Sequence, residues 1–187
     1  HFASSTAPEA DGNTYSFTFT PEVGKTGFAF ALQTSDHESY SVSFEEAVLE
    51  NVVDGTAGSD KLKGSAELDI LNGGDGDDHL DGYAGNDILD GGAGNDVLDG
   101  GTGKDVMTGG SGADVFVFGN GSHKDTITAF EDGIDVMDFS ADASVTSIAD
   151  LSITQNGADV VINHGNSDEI TLKNIDILDI DATDFLF

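Results

Sequence analysis

The 187-residue chain contains no cysteine and no arginine. Without cysteine it can form neither disulfides nor thiolate metal sites. Its only basic residues besides histidine are six lysines, which face 36 acidic residues and leave a formal net charge of −30 at pH 7. Binding to nucleic acid or to an anionic membrane surface depends on Lys and Arg, so the composition argues against both. No apolar run approaches the roughly 20 residues that a membrane-spanning helix needs.

The excess of acidic residues has a second consequence. A chain with this charge repels itself and resists compaction unless counter-ions are bound. Apolar residues make up only 37% of the sequence, and 25 glycines are too many for ordinary packing. We therefore expect the acidic residues to have a multivalent cation as partner.

Most of the glycines lie in a block of seven consecutive nine-residue units that runs from Gly55 to Val117. Position 1 of each unit is Gly, position 6 is Asp, position 8 is large and apolar, and position 4 is Gly in six of the seven. This is the G-G-x-G-x-D-x-U-x pattern of calcium-binding parallel β-helices. A disordered linker would have no need of the apolar eighth position. The units begin at Gly55, Gly64, Gly73, Gly82, Gly91, Gly100 and Gly109.

Each unit divides into a six-residue turn and a three-residue strand. Glycine lets the turn adopt positive φ and expose its carbonyl oxygens, and Asp adds a carboxylate. Calcium prefers six to eight oxygens of these two kinds. Two units make one coil of 18 residues, so alternate units stack at the β spacing of ~4.8 Å. Position 7 is expected to be only partly buried. The inward-pointing position 8 residues are Leu62, Leu71, Leu80, Leu89, Leu98, Met107 and Phe116.

The pattern predicts an all-β fold, a right-handed parallel β-helix (β-roll) with antiparallel β caps at both ends. We expect three segments: an N-terminal β-strand segment or cap at 1–50, the roll at 55–117 and a C-terminal cap at 118–187. In the first, residues 14–44 alternate aromatic and polar side chains and predict a small antiparallel sheet. In the last, residues 151–173 predict a meander with turns at Asn156-Gly157 and Gly165-Asn166.

The repeat block resembles the RTX family of calcium-binding exported proteins. The segments GADVFVF, DTITAFEDGIDVMDFS and DFLF extend the resemblance, more loosely, toward the C-terminal regions of RTX proteases and related bacterial exoproteins. In that family an ion lies between two stacked turns. It is bound by positions 2, 4 and 6 of the earlier turn and positions 1, 3 and 6 of the later one.

This resemblance implies about five calcium ions. The five sites join Thr56, Gly58 and Asp60 to Gly73, Asp75 and Asp78; Ser65, Glu67 and Asp69 to Gly82, Ala84 and Asp87; Gly74, Gly76 and Asp78 to Gly91, Ala93 and Asp96; Tyr83, Gly85 and Asp87 to Gly100, Thr102 and Asp105; and Gly92, Gly94 and Asp96 to Gly109, Ser111 and Asp114.

Some units depart from the pattern. Glu67 replaces Gly at position 4, where unusual φ is expected, so the second site should be the weakest. Thr56, Ser65 and Tyr83 replace Gly at position 2, which matters less if only their carbonyls bind. After Val117 the period is lost, and a sixth site would depend on Asp125 reaching the ion by a different route.

The resemblance implies a secreted bacterial protein that folds on calcium outside the cell and leaves it by the type I secretion apparatus. Asp184-Phe185-Leu186-Phe187 resembles the uncleaved export signal of that route; packing of a last strand is the alternative. The chain begins at His1 without a signal peptide, so we expect a fragment or a processed product. No catalytic constellation is present, although a catalytic domain could lie upstream. The alternative function is a carbohydrate- or partner-binding module that uses the 14–44 sheet.

Overall fold

The computed structural model describes residues 51–165 and 167–187. The predictions for residues 1–50, including the 14–44 sheet and the N-terminal cap, lie outside the described residues. The strands, in chain order, are β1 (Asn51–Asp54), β2 (Lys61–Lys63), β3 (Asp69–Asp75), β4 (His79–Asp81), β5 (Ala84–Gly85), β6 (Ile88–Ala93), β7 (Val97–Asp99), β8 (Thr102–Gly103), β9 (Val106–Ser111), β10 (Val115–Val117), β11 (Lys124–Thr128), β12 (Val136–Asp138), β13 (Ser152–Asn156), β14 (Asp159–Gly165), β15 (Asp168–Leu172) and β16 (Phe185–Leu186).

These strands build a parallel β-solenoid. The chain alternates between two sheets, one with the order β1-β3-β6-β9-β11-β15-β14-β13 and the other with the order β16-β12-β10-β7-β4-β2. Ile70 pairs with Ile88, and Ile88 pairs with Val106, so one coil takes 18 residues within the repeats. The predicted stacking of alternate units is confirmed. From β1 to β15 the solenoid makes about five turns.

The core is a double column of the position 8 side chains. All seven are buried, with exposed fractions between 0% and 8%, as predicted. Burying one such side chain stabilises the fold by about 1.5–3 kcal/mol. Position 7 points outward: Ile88 remains 43% exposed and Val106 37%. The alternation holds because successive residues of a strand point to opposite faces.

The loss of the nine-residue period at Phe118 does not end the solenoid. Strand β11 pairs with β9, and β12 pairs with β10, both in parallel. The coils simply lengthen, since Val106 aligns with Thr126 and Val115 with Val136. The strands keep an inward apolar residue while the turns between them change length. The continuing core residues are Ile127, Met137, Leu172 and Phe185.

A three-stranded antiparallel meander, residues 152–172, is inserted in the final coil and is called the C-terminal hairpin below. Strands β13, β14 and β15 pair antiparallel, which confirms the meander predicted for 151–173. Strand β15 also pairs in parallel with β11 and so joins the hairpin to the solenoid. Strand β16 pairs in parallel with β12 and forms the last rung of the second sheet. The C-terminal cap therefore combines antiparallel and parallel strands.

The helices in this part of the chain are short 3₁₀ helices, Ile148–Asp150, Ile177–Asp179 and Ala182–Asp184. None of the described helices has the length and apolar character needed to cross a membrane.

Candidate metal centre

The position 6 aspartates form two ladders, one along each side of the solenoid. From Asp69 onward they are at most 3% exposed. In each ladder the backbone N–H of one Asp donates to Oδ1 of the Asp one coil later. The pairs are Asp60 to Asp78 (2.7 Å), Asp69 to Asp87 (2.9 Å), Asp78 to Asp96 (2.8 Å), Asp87 to Asp105 (2.8 Å) and Asp96 to Asp114 (2.9 Å).

The second carboxylate oxygen of five of these residues has no hydrogen-bond partner although it is buried. A buried charged oxygen without a partner is costly in free energy, so native proteins rarely leave one. A hard cation that prefers oxygen ligands removes this cost. The five atoms are Oδ2 of Asp78, Asp87, Asp96, Asp105 and Asp114.

Backbone carbonyls point into the same gaps between stacked turns. A Cβ added to Gly91 would lie 2.6 Å from the carbonyl oxygen of Gly109, the position 1 residue one coil later. A Cβ added to Gly92 would collide with the Gly74 carbonyl, at position 2 one coil earlier. Position 4 repeats this arrangement, with the Gly76 carbonyl facing Gly94. The carbonyls at positions 2 and 4 therefore face the next coil, those at position 1 face the preceding coil, and the glycines leave the space that they need.

Backbone conformation separates the first two turns from the rest. In the third to seventh turns, positions 2 and 4 have positive φ, including Tyr83 at +69°. In the first two turns φ is not positive at these positions, which are Thr56, Gly58, Ser65 and Glu67. The departure expected at Glu67 thus extends to both of the first two turns.

The carboxylates of the first two turns are also bonded differently. The N–H groups of Thr56 and Ser65 each donate, at 2.6 Å, to Oδ2 of the Asp in their own turn. In these turns protein donors hold the oxygen that remains without a partner in the later turns. In the earlier halves of the first and second predicted sites, Oδ2 of the Asp is therefore already hydrogen-bonded.

Position 3 carbonyls are already engaged on one side of the solenoid. Those of Ala93 and Ser111 accept hydrogen bonds from the N–H groups of Gly76 (2.6 Å) and Gly94 (2.9 Å). A carbonyl has two lone pairs, so one remains for an ion. Within the described part of the chain, no three side chains of His, Cys, Asp or Glu form a cluster that could hold a metal. Coordination here would depend largely on backbone oxygens.

Both Asp ladders continue past the repeat block. The N–H of Asp105 donates to Asp125 Oδ1 at 3.0 Å, and the N–H of Asp114 donates to Asp135 Oδ1 at 3.0 Å. Sequence reasoning named Asp125 but missed Asp135. The signal was present, because Gly133-Ile134-Asp135-Val136-Met137 repeats positions 4 to 8 of the nonapeptide. Asp135 Oδ2 accepts the N–H of Glu131 at 2.9 Å, as in the first two turns.

Burial controls the electrostatics of the ladders. It raises the pKa of Asp96 to about 6, of Asp105 to about 7 and of Asp125 to about 8. Hydrogen bonds from the preceding coil oppose this increase, and neighbouring carboxylates add to it. Without a cation, Asp105 and Asp125 are therefore half or more protonated near neutral pH, whereas Asp96 gains its proton only as the pH falls to about 6.

The arrangement defines a class of protein: a β-roll whose stacked turns present oxygen ligands to cations. Residues 54–89 and 90–122 match a family model described as RTX calcium-binding nonapeptide repeat (4 copies). This part of the chain belongs to the RTX calcium-binding nonapeptide repeats, which are structural calcium-binding elements and not catalytic ones.

Three solved structures are similar to the chain. The extracellular lipase LipA of Serratia marcescens is 17% identical with a TM-score of 0.42, covering 76% of this chain and 40% of the lipase. The AlgE6R2 subunit of the Azotobacter vinelandii mannuronan C5-epimerase is 27% identical with a TM-score of 0.41, covering 76% and 94%. The AlgE6R3 subunit of that epimerase is 28% identical with a TM-score of 0.38, covering 77% and 86%. A comparison with curated proteins finds no match.

The turn geometry predicts a difference between two glycines at position 4. Gly94 has a φ of +137°, and Gly94→Ala places a Cβ against the Gly76 carbonyl. A Cβ on Gly58, in contrast, meets nothing within 4 Å. We expect Gly94→Ala to lower the free energy of unfolding by about 2–4 kcal/mol. Gly58→Ala should change it by at most about 0.5 kcal/mol. Urea unfolding in saturating calcium measures both, and equal effects would contradict this account of the turns.

The raised pKa values predict an unusual pH dependence in EDTA. A folded-state pKa raised above the unfolded value of 3.8 stabilises the fold at low pH, and that stability is lost as the pH rises through about 6 to 8. We therefore expect the calcium-free melting temperature to fall between pH about 4 and 8. Saturating calcium should flatten the profile at its alkaline end. Differential scanning calorimetry measures this, and a calcium-free melting temperature that rises over that range would contradict it.

Proposed function

We propose that this chain is a calcium-dependent folding module of an exported bacterial protein. The observation that carries the proposal is the column of buried Oδ2 atoms without partners at Asp78, Asp87, Asp96, Asp105 and Asp114. At position 1 of their turns, the Oδ2 atoms of Asp78, Asp87 and Asp96 share the space around the glycine with the position 1 carbonyl of the next coil. Calcium accepts both kinds of ligand and tolerates variable geometry.

Support is strongest for the sites that begin at the third, fourth and fifth turns. Both halves of each have positive φ at positions 2 and 4 and an Asp whose second oxygen is free. In the first two sites only the later half has these properties. Asp125 adds one rung to the ladder beyond Asp105 and offers a carboxylate for a sixth site. We propose graded affinity, with the first and second sites the weakest.

Calcium binding and folding should be one event. With a net charge of −30, the free chain repels itself, and stacking brings carboxylates to successive rungs of the same ladder. Extracellular modules bind calcium with Kd values of roughly 0.1–1 mM, far above cytosolic calcium. The chain would therefore remain unfolded in the cytosol and fold once outside the cell.

Circular dichroism at pH 8 tests the folding step. We expect the chain to lose most of its β signal in EDTA and to regain it in millimolar calcium. Asp96→Asn, which alters a residue shared by two predicted sites, should raise the calcium concentration needed for folding about tenfold or more. Asp90→Asn is the matched control, because Asp90 is exposed and lies on a strand. A chain fully folded in EDTA at pH 8 would exclude the proposal.

Export by the type I route is the second part of the proposal. In the folded chain Asp184 and Phe185 are buried, whereas Leu186 is 49% and Phe187 43% exposed. The segment is thus fully accessible to an export apparatus only before the last rung forms. Leu186→Asp and Phe187→Asp should reduce export by a type I exporter without preventing calcium-driven folding. Leu178→Asp, at an 87% exposed residue outside the segment, is the control. Equal export of all three variants would refute the signal.

The carbohydrate- or partner-binding alternative depends on residues 14–44, and no feature of the described residues favours it. A catalytic function, if the parent protein has one, would belong to a domain upstream of this chain.

A further inference from the structure

The loop that follows the last repeat is held by the C-terminal hairpin. It joins β10 to β11 and leads into Asp125, the last rung of its ladder. The N–H groups of Gly121 (2.8 Å) and His123 (3.0 Å) donate to the two carboxylate oxygens of Asp168, which begins β15. Asp168 is 3% exposed. The hairpin thus fixes the backbone of the loop from a distance of more than 40 residues along the chain.

A second connection passes through buried side chains. Ser122 Oγ lies 3.4 Å from His164 Nε2, and His164 Nδ1 lies 3.3 Å from Asp142 Oδ2. Ser122 lies three residues before Asp125, and its neighbour His123 forms a parallel β-bridge with Gly103 of the sixth turn. Asp142, His164 and Ser122 are at most 4% exposed. They form one chain of buried polar groups that joins the C-terminal part of the structure to the loop.

Other contacts fix both ends of this chain. The N–H and hydroxyl groups of Ser144 donate to Asp142 Oδ1 at 2.9 and 2.6 Å. The imidazole of His164 packs edge-on against Phe139, with ring centroids 5.2 Å apart, and also contacts Phe118 at 6.2 Å. The ring therefore has little freedom to rotate away from Ser122.

The order Ser–His–Asp invites comparison with a hydrolytic triad, but the surroundings exclude that role. The side chain of His164 has an exposed fraction of 0%, and Ser122 is 4% exposed, so no substrate reaches the hydroxyl. The cavity of about 600 Å³ in the hairpin region is lined elsewhere, by residues that include Gln155, Asn174 and Leu178. The chain instead ends at Ser122, in the loop that leads into Asp125.

We propose that Asp142, His164 and Ser122 are positioning residues that hold the loop at 121–123 against the sixth turn, so that Asp125 reaches the ion between that turn and the loop. This inference rests on the proposed calcium function. Groups that lie behind the ligands of a metal site fix the orientation of those ligands, and their loss typically lowers metal affinity by about 10- to 100-fold. The cap therefore contributes to calcium affinity beyond closing the end of the core.

The linkage between melting temperature and free calcium tests the proposal. The slope of stability against the logarithm of free calcium reports how many ions are released on unfolding. We expect Ser122→Ala and His164→Gln to lower that number by about one over the range in which wild type is nearly saturated. Both variants should also need about tenfold more calcium to reach the full slope. Ile162→Val is the matched control, because Ile162 is buried in the same strand as His164 and belongs to the apolar core.

The outcomes separate this proposal from the one that it rests on. If Ile162→Val lowers the melting temperature but keeps the wild-type slope while the two chain variants lose slope, the positioning role is supported. If the chain variants lower the melting temperature equally at every calcium concentration, their role is structural and the proposal is overturned. A wild-type melting temperature that does not depend on calcium would overturn the proposed function, and this inference with it.

Discussion

The constraint on which this structure depends is the burial of like-charged carboxylates in columns. Stacking the coils puts one Asp on every rung of each side, withdraws it from water and leaves an oxygen without a partner. Backbone donors from the neighbouring coil satisfy only the other oxygen. The apolar core favours this stacking, and the carboxylates oppose it until protons or cations neutralise them. Folding, acidity and calcium are therefore linked by one feature of the fold.

The glycines and the ends of the columns follow from the same constraint. Side chains at Gly91 or Gly94 would occupy the space into which carbonyl oxygens point. At two ends a protein donor holds Oδ2: the N–H of Thr56 binds that of Asp60, and the N–H of Glu131 binds that of Asp135. The interior of each column is left for cations. The strands after the repeat block thus extend the ladders as well as the hydrophobic core.

Much of the solenoid could be predicted from the repeats, because the relevant interactions are local or recur every 18 residues. The invariant position 8 identified the buried side chains, such as Leu89, and the strict period determined which strands pair. Glu67 marked a turn whose backbone differs from that of the later turns. The pattern did not indicate that the first turn differs too, because it does not reveal the hydrogen bonds by which Thr56 and Ser65 hold their own Asp.

The sequence by itself determined the repeat, its register, its core and the oxygen-rich turns, since each depends on residues at most one coil apart. Only the tertiary structure decided how the solenoid continues past Phe118. There the turns change length while the inward apolar residues persist, so the period disappears although the coil does not. The contacts of Asp168 and His164 with the loop at 121–123 join residues more than 40 positions apart. Such contacts are set by how the final hairpin packs, and no local pattern encodes them.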